Sequence, residues 1–177
     1  MTNEQIVNKC LKGDARAQKM LYEKFAPKLL AICYRYASKH EEAQDILQEG
    51  FIKIFEKLDK YSGLGSLEGW MRRIIVNTAL DGIRRNKKLL LNDDINEVGY
   101  KIESNDFIEE RLAAQDLLKV LHSIPVGYRT IFNLYAIEGY SHKEIAEQLE
   151  ISPSTSKSQY SRAKALLRKK ITSLGLK

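Results

Sequence analysis

The chain has 177 residues, a formal net charge of +6 and an isoelectric point near 9.2, which leaves room for one domain or two small ones. The charge suits an acidic polymer or surface without specifying which. No apolar run approaches the roughly 18 to 20 residues that a bilayer span requires, and the opening MTNEQIVNK lacks a signal peptide's apolar core, so a cytoplasmic location without membrane insertion is expected.

Helical periodicity dominates the chain, and alternating strand patterns are absent. Glu4 to Lys12 places Ile6, Val7, Cys10 and Leu11 on one face before Gly13-Asp14 breaks it. A longer helix is expected from about Ala15 to Tyr36, with Leu21, Tyr22, Phe25, Leu29, Ile32, Cys33 and Tyr36 inward and Pro27 as a point of kinking. The third, Glu42 to Leu58, repeats Ala43, Ile46, Leu47, Gly50, Phe51, Ile54, Phe55 and Leu58 at the spacing of a buried stripe. Its other side carries Asp45, Gln48, Glu49 and Glu56. That surface disfavours DNA and suits a basic protein, although a solvated face has the same composition.

Asp59 to Gly69, DKYSGLGSLEG, reads as a loop, and the fourth helix as about Trp70 to Lys88. Met71, Ile75, Thr78, Ala79 and Ile83 form its packing side, Arg73, Asn77, Asp81 and Arg84 a narrow polar face, and Arg84, Arg85, Lys87 and Lys88 a basic end. Arg and Asn beside a glycine-containing loop can hold phosphates, read exposed base edges and enclose an unstacked base; an ordinary amphipathic surface helix is the alternative. Trp70 fits a core anchor better than a base-stacking platform. These four helices have apolar surface enough for a bundle of about 90 residues.

Asn92 to Asp106 changes character, with Asp93, Asp94, Glu97, Glu103 and Asp106 against a single Lys101. It reads as a flexible acidic tether, with an ordered loop over one domain as the rival. From Ile108 a second bundle follows: Leu112, Leu117, Leu118 and Leu121 on one helix, a break at Ile124-Pro125, then Ile131, Phe132, Leu134 and Tyr135. The expected fold is all-α, two small helical domains joined by a flexible linker, with bounds 1–91, 92–108 and 109–177.

Gly139 to Lys170 has the punctuation of a helix-turn-helix. Ser141 and Glu144 form a capping box, Ile145, Ala146 and Leu149 face inward, Ser152 caps the next helix and Pro153 opens it. Ser156, Tyr160, Ala163, Leu167 and Ile171 make one packing stripe, and Thr155, Ser158, Arg162 and Lys169, flanked by Ser161 and Ala165, lie opposite. Small residues let a helix enter a groove about 12 Å wide, where hydroxyls and a guanidinium reach base edges or phosphates. From Ser152 onward Lys157, Arg162, Lys164, Arg168, Lys169, Lys170 and Lys177 meet no acidic residue. Nucleic acid is the partner this pattern predicts.

Nothing in the chain forms a phosphate loop, an HExxH motif or a nucleophile elbow, so no catalytic residue, cofactor or enzymatic activity is expected. Cys10 and Cys33 sit among apolar neighbours outside any CxxC or Cys/His cluster, and His40, His122 and His142 are scattered. Buried thiols are expected, and no metal site.

DILQEGFIKIFEKLDKY followed by GWMRRIIVNTALDGIRR resembles the extracytoplasmic-function (ECF) sigma factors, small members of the sigma-70 family that direct bacterial RNA polymerase to promoters. The resemblance extends over nearly the whole chain. It implies that Asp45, Gln48 and Glu49 contact polymerase core at the coiled coil of the β′ subunit. It also implies −10 element contacts from Arg73, Asn77, Asp81 and Arg84, with loop residues Tyr61, Ser62 and Gly63, on to Gly65, near a flipped base of the non-template strand. Contacts with the −35 element are implied for Thr155, Lys157, Ser158, Ser161 and Arg162. The partners so implied are RNA polymerase core through its β′ and β subunits, promoter DNA and an anti-sigma factor, and the acidic tether would thread the polymerase's active-site and RNA-exit channels. Two departures stand out. Glu150 occupies a turn position where such motifs often have Gly, and Ser156 a core position usually filled by Val or Ile; its hydroxyl is expected to bond the preceding turn. A stand-alone helix-turn-helix repressor and a helical interaction protein without DNA contacts are the rival classes. The first lacks a dimerisation helix, and the basic recognition helix opposes the second.

Overall fold

In the computed structural model of the protein, residues 1–86 and 108–175 are described, 108–114 as backbone only. The acidic segment expected as a linker therefore lies outside the described residues, apart from its last position. The chain forms two compact units, Met1–Asp81 and Gly82–Lys177.

The first unit starts at α1, Asn3–Leu11, where Thr2 and Gln5 exchange reciprocal capping bonds. Gly13, at φ +79°, makes the corner, and the Asp14 carboxylate receives the Arg16 and Ala17 amides at 2.9 and 3.2 Å to open α2, Ala15–Tyr36, which runs unbroken through Pro27. Next come α3, His40–Glu56, a 3-10 turn at Leu58–Lys60, and α4, Leu67–Arg85, of which the part up to Asp81 belongs to this unit. Leu21, Leu29, Ile54, Leu58, Met71, Ile75 and Leu80 are fully buried between them, each contributing about 1.5–3 kcal/mol of transfer free energy. Gly50 lets α3 approach α4 closely, because a Cβ there would collide with Ile75 Cδ1.

Three expectations are corrected. Leu11 is exposed, not inward. Tyr22 is also exposed, its ring resting on Phe51 with centroids 4.6 Å apart. Helix α4 begins three residues before Trp70, because Ser66 caps it. The Ser66 hydroxyl accepts the Gly69 amide at 3.0 Å and its carbonyl the Trp70 amide at 3.1 Å, so buried Leu67 belongs to the helix.

In the second unit, α5, Ile108–His122, ends before Pro125, which precedes α6, Val126–Phe132. The helix continues into a π turn, Asn133–Ile137, before α7, His142–Leu149, and α8, Pro153–Ser173. Helix α8 packs on all three other helices. Val120, Leu121, Ile124, Tyr128, Ala163 and Leu167 form one cluster. Leu117, expected inside, is exposed, and Val120 one turn later takes the inward position. No helix among the described residues is long and apolar enough to cross a membrane.

Candidate nucleic-acid and protein interfaces

Helix α3 buries Ala43, Leu47, Gly50, Phe51 and Ile54, which turns Asp45 and Gln48 to solvent and leaves Glu49 half-buried at the edge. Lys53 lies one turn beyond Glu49, its ammonium 2.8 Å from Glu49 Oε1 and 3.2 Å from Asp81 Oδ2 on α4. Burial alone would lower the Lys53 pKa, but hydrogen bonds and charge from Glu49 and Asp81 outweigh it and hold the value above the usual one. Ile52, on the same exposed side, is 59% accessible. Its place off the buried stripe, four residues after Gln48, marks it in the sequence as a further surface residue of this face.

On α4, Arg73 is exposed and Asn77, Asp81 and Arg84 are half-buried along one face. Asp81 is held by Lys53. Asn77 Oδ1 is buried and finds no hydrogen-bond partner among the described residues. The loop before α4 is closed by Tyr61, whose hydroxyl donates to the Gly65 carbonyl at 2.8 Å, while the Leu64 amide donates to Ser62 Oγ at 3.3 Å. Gly63 and Gly65 adopt φ of +75° and +89°, a region open to glycine, and place Leu64 at the apex with 87% of its surface accessible. Trp70 is half-buried against Tyr61, ring centroids 5.5 Å apart, so it braces the loop and is neither a deep anchor nor a free platform.

The helix-turn-helix has its expected caps. Ser141 and Glu144 exchange capping bonds, and Ser152 Oγ accepts the Thr155 amide at 3.1 Å with Pro153 opening α8. Thr155 is half-buried, with Oγ1 2.8 Å from Ser152 Oγ. Lys157, Ser158, Ser161 and Arg162 are exposed together on the first three turns, on a helix without Asp or Glu. Glu150 is left-handed, φ 55° and ψ 44°. Ser156 is fully buried, but its hydroxyl does not turn back to the preceding turn. It meets His142 Nδ1 of α7 at 2.9 Å, which corrects the expectation for this residue. Cys10 and Cys33 are the buried free thiols expected.

Two helical units, the second a capped helix-turn-helix with a basic, hydroxyl-rich outer face, define the class of helical proteins built to meet nucleic acid. The Sigma-70 region 2 profile matches residues 21–89, and the Sigma-70, region 4 profile matches residues 114–167. The chain is 28% identical over 185 residues to the ECF RNA polymerase sigma-E factor of Haemophilus influenzae, covering 98% of this chain and 97% of that one. With the ECF RNA polymerase sigma factor SigE of Mycolicibacterium smegmatis it shares 32% over 153 residues, 84% of this chain and 59% of the relative. A solved structure of the sigma factor RpoE of Bartonella quintana, in complex with the anti-sigma factor NepR, has a similar fold: TM-score 0.53, 24% identity, 85% of this chain and 94% of that one. The chain belongs to the sigma-70 family, in its ECF group. It is a sigma factor and not an enzyme, and it acts by binding RNA polymerase and recognising promoters.

Proposed function

We propose that the protein docks on polymerase core through Asp45, Gln48 and Glu49, reads and melts the −10 element with α4 and the preceding loop, and reads the −35 element with α8. The observation that carries this assignment is the opposite chemistry of two exposed helix faces. Asp45 and Gln48 with Glu49 make an acidic, amide-bearing patch on α3, whereas Lys157, Ser158, Ser161 and Arg162 make a face without acid on α8. An acidic patch is repelled by phosphates and attracted by basic protein, and the second face has the donors that a duplex accepts.

Arg73 and Asn77 are assigned to the non-template strand at −10, with Tyr61, Ser62 and Gly63 beside the flipped base. Asn77 is half-buried on that face, one turn beyond exposed Arg73. Asp81 and Arg84 are assigned to the same face, Asp81 acting once Lys53 releases or shares it. Residues 1–91 would form the docking and −10 domain, 92–108 the acidic linker and 109–177 the −35 domain, with β′ and β as the subunits met. Control by an anti-sigma factor and a cytoplasmic location belong to the same reading; the Bartonella quintana relative was solved with such a partner. Phosphodiester synthesis remains with the polymerase, so the chain supplies only binding energy and strand capture.

The test separates the surfaces. Gln48→Lys with Glu49→Lys should abolish core binding while circular dichroism shows the chain still folded, its unfolding midpoint lowered only by loss of the Glu49–Lys53 ion pair. Arg162→Ala should weaken a −35 duplex and leave core affinity unchanged. Normal core binding by the reversed protein would refute the docking assignment, and equal loss of both affinities in Arg162→Ala would refute the −35 assignment.

A further inference from the structure

Ser156 is 0% exposed at a helix crossing that apolar packing could fill. A hydroxyl there costs about 1–3 kcal/mol if it is left unbonded. Its partner is His142 Nδ1, 2.9 Å away at the start of α7. The imidazole is itself fixed: it stacks on Tyr135 of the π turn with centroids 4.3 Å apart and planes at 13°, and it lies 5.7 Å from the Tyr160 ring. Tyr135 and Tyr160 touch each other at 4.5 Å, and Tyr160 stands one turn beyond Ser156 on α8. Three elements therefore converge on one directional bond.

We propose that the His142–Ser156 hydrogen bond is a positioning element that sets the rotation and depth of the recognition helix α8, and through it the duplex discrimination of Lys157, Ser158, Ser161 and Arg162. Apolar contact is non-directional, so an aliphatic residue at 156 would let α8 turn slightly about its axis at little cost. A hydrogen bond prefers near-linear geometry, and the stacked ring holds its acceptor or donor atom in place. Lys157 and Ser158 follow Ser156 at about 100° per residue, so any rotation at Ser156 swings them across the duplex. The proposal rests on the assignment of α8 to the −35 element.

The experiment uses the full chain in reconstituted holoenzyme. A duplex selected by the wild-type holoenzyme from a pool randomised at −35 is compared with a scrambled duplex, and the affinity ratio is the readout. Ser156→Ala and His142→Phe should each reduce that ratio by about ten-fold, the double variant should be no worse than either, and Ser156→Thr, which keeps a hydroxyl, should retain the ratio. A purely structural role would lower the active fraction and scale both duplexes equally. Wild-type ratios in both single variants, or multiplying effects in the double, would overturn the proposal. If Ser156→Ala does not fold, His142→Phe at its half-exposed position decides alone. Arg162→Ala distinguishes the two levels: if it too keeps wild-type affinity, the assignment of α8 fails and takes the positioning role with it. Loss in Arg162→Ala with unchanged Ser156→Ala and His142→Phe refutes the positioning role alone.

Discussion

Glu49 and Asp81, on two different helices, hold the same ammonium: Lys53 lies 2.8 Å from one carboxylate and 3.2 Å from the other. A residue assigned to polymerase docking and one assigned to the −10 face are thus joined by a single side chain that is three-quarters buried. Lys53→Met should lower unfolding free energy by about 1 kcal/mol, since both carboxylates are partly solvated and an exposed pair contributes little. Because the folded pKa of Lys53 is raised, its contribution is fully present below the usual 10.5 and lost only as pH rises beyond it. Urea titration of wild type and Lys53→Met at neutral pH checks this; identical midpoints would show that the bridge contributes nothing.

Glu150 carries the strained backbone of the helix-turn-helix, at φ 55°. Left-handed geometry costs a non-glycine residue roughly 1–2 kcal/mol. Glu150→Gly should therefore raise stability by about 1 kcal/mol, whereas Glu147→Gly, at an exposed position inside α7, should lower it by about 1 kcal/mol. Thermal unfolding of the two variants should give Tm shifts of opposite sign, and shifts of the same sign would contradict the turn geometry.

Acid should weaken the second unit in two steps. Burial, then the charge of Lys157, lowers the His142 pKa below its usual 6.5, so the unfolded chain takes up this proton first. Stability from this group is full above 6.5 and falls as pH drops through the folded value. Glu144, held low by the Ser141 backbone and side-chain hydrogen bonds, adds a separate loss below the usual 4.5. His142→Phe should flatten the first limb and keep the second. An unchanged slope between 6.5 and 4.5 would contradict the assignment to His142.

Neither cysteine should react in the native protein. Burial pushes the Cys33 thiol up to about 12 and, with the Asp14 charge, raises Cys10 as well, so the reactive thiolate is suppressed. A thiol-specific reagent near neutral pH should label slowly until denaturant is added, when both sites become reactive together. Rapid labelling of the folded chain would show that the first unit opens locally.

The helices were legible because their signals are local. Asp14 before α2, Ser141 with Glu144, and Ser152-Pro153 each satisfy amides within one turn, so element bounds and the helix-turn-helix could be read from adjacent letters. Ser66 is a cap of the same kind, but the glycines at 63 and 65 give its surroundings the composition of a loop. The side-chain network was not legible. Lys53 meets Asp81 across 28 positions and Ser156 meets His142 across 14, and such contacts depend on how two helices cross, which periodicity does not encode. The same limit explains Leu117 and Val120: spacing defines a stripe, but the neighbour decides which edge of it is covered. For the interfaces, residue types on exposed faces were readable, whereas the sharing of Asp81 and the orphan Asn77 acceptor emerged only from the fold.

The most direct measurement is run-off transcription with purified bacterial RNA polymerase core and the full chain, on templates carrying promoters selected by the reconstituted holoenzyme. The account predicts a transcript with one defined start that requires the chain, disappears with Gln48→Lys/Glu49→Lys, and is reduced by Asn77→Ala and by Arg162→Ala on their respective elements. Duplex binding by the chain alone with no defined transcript upon adding core would contradict it.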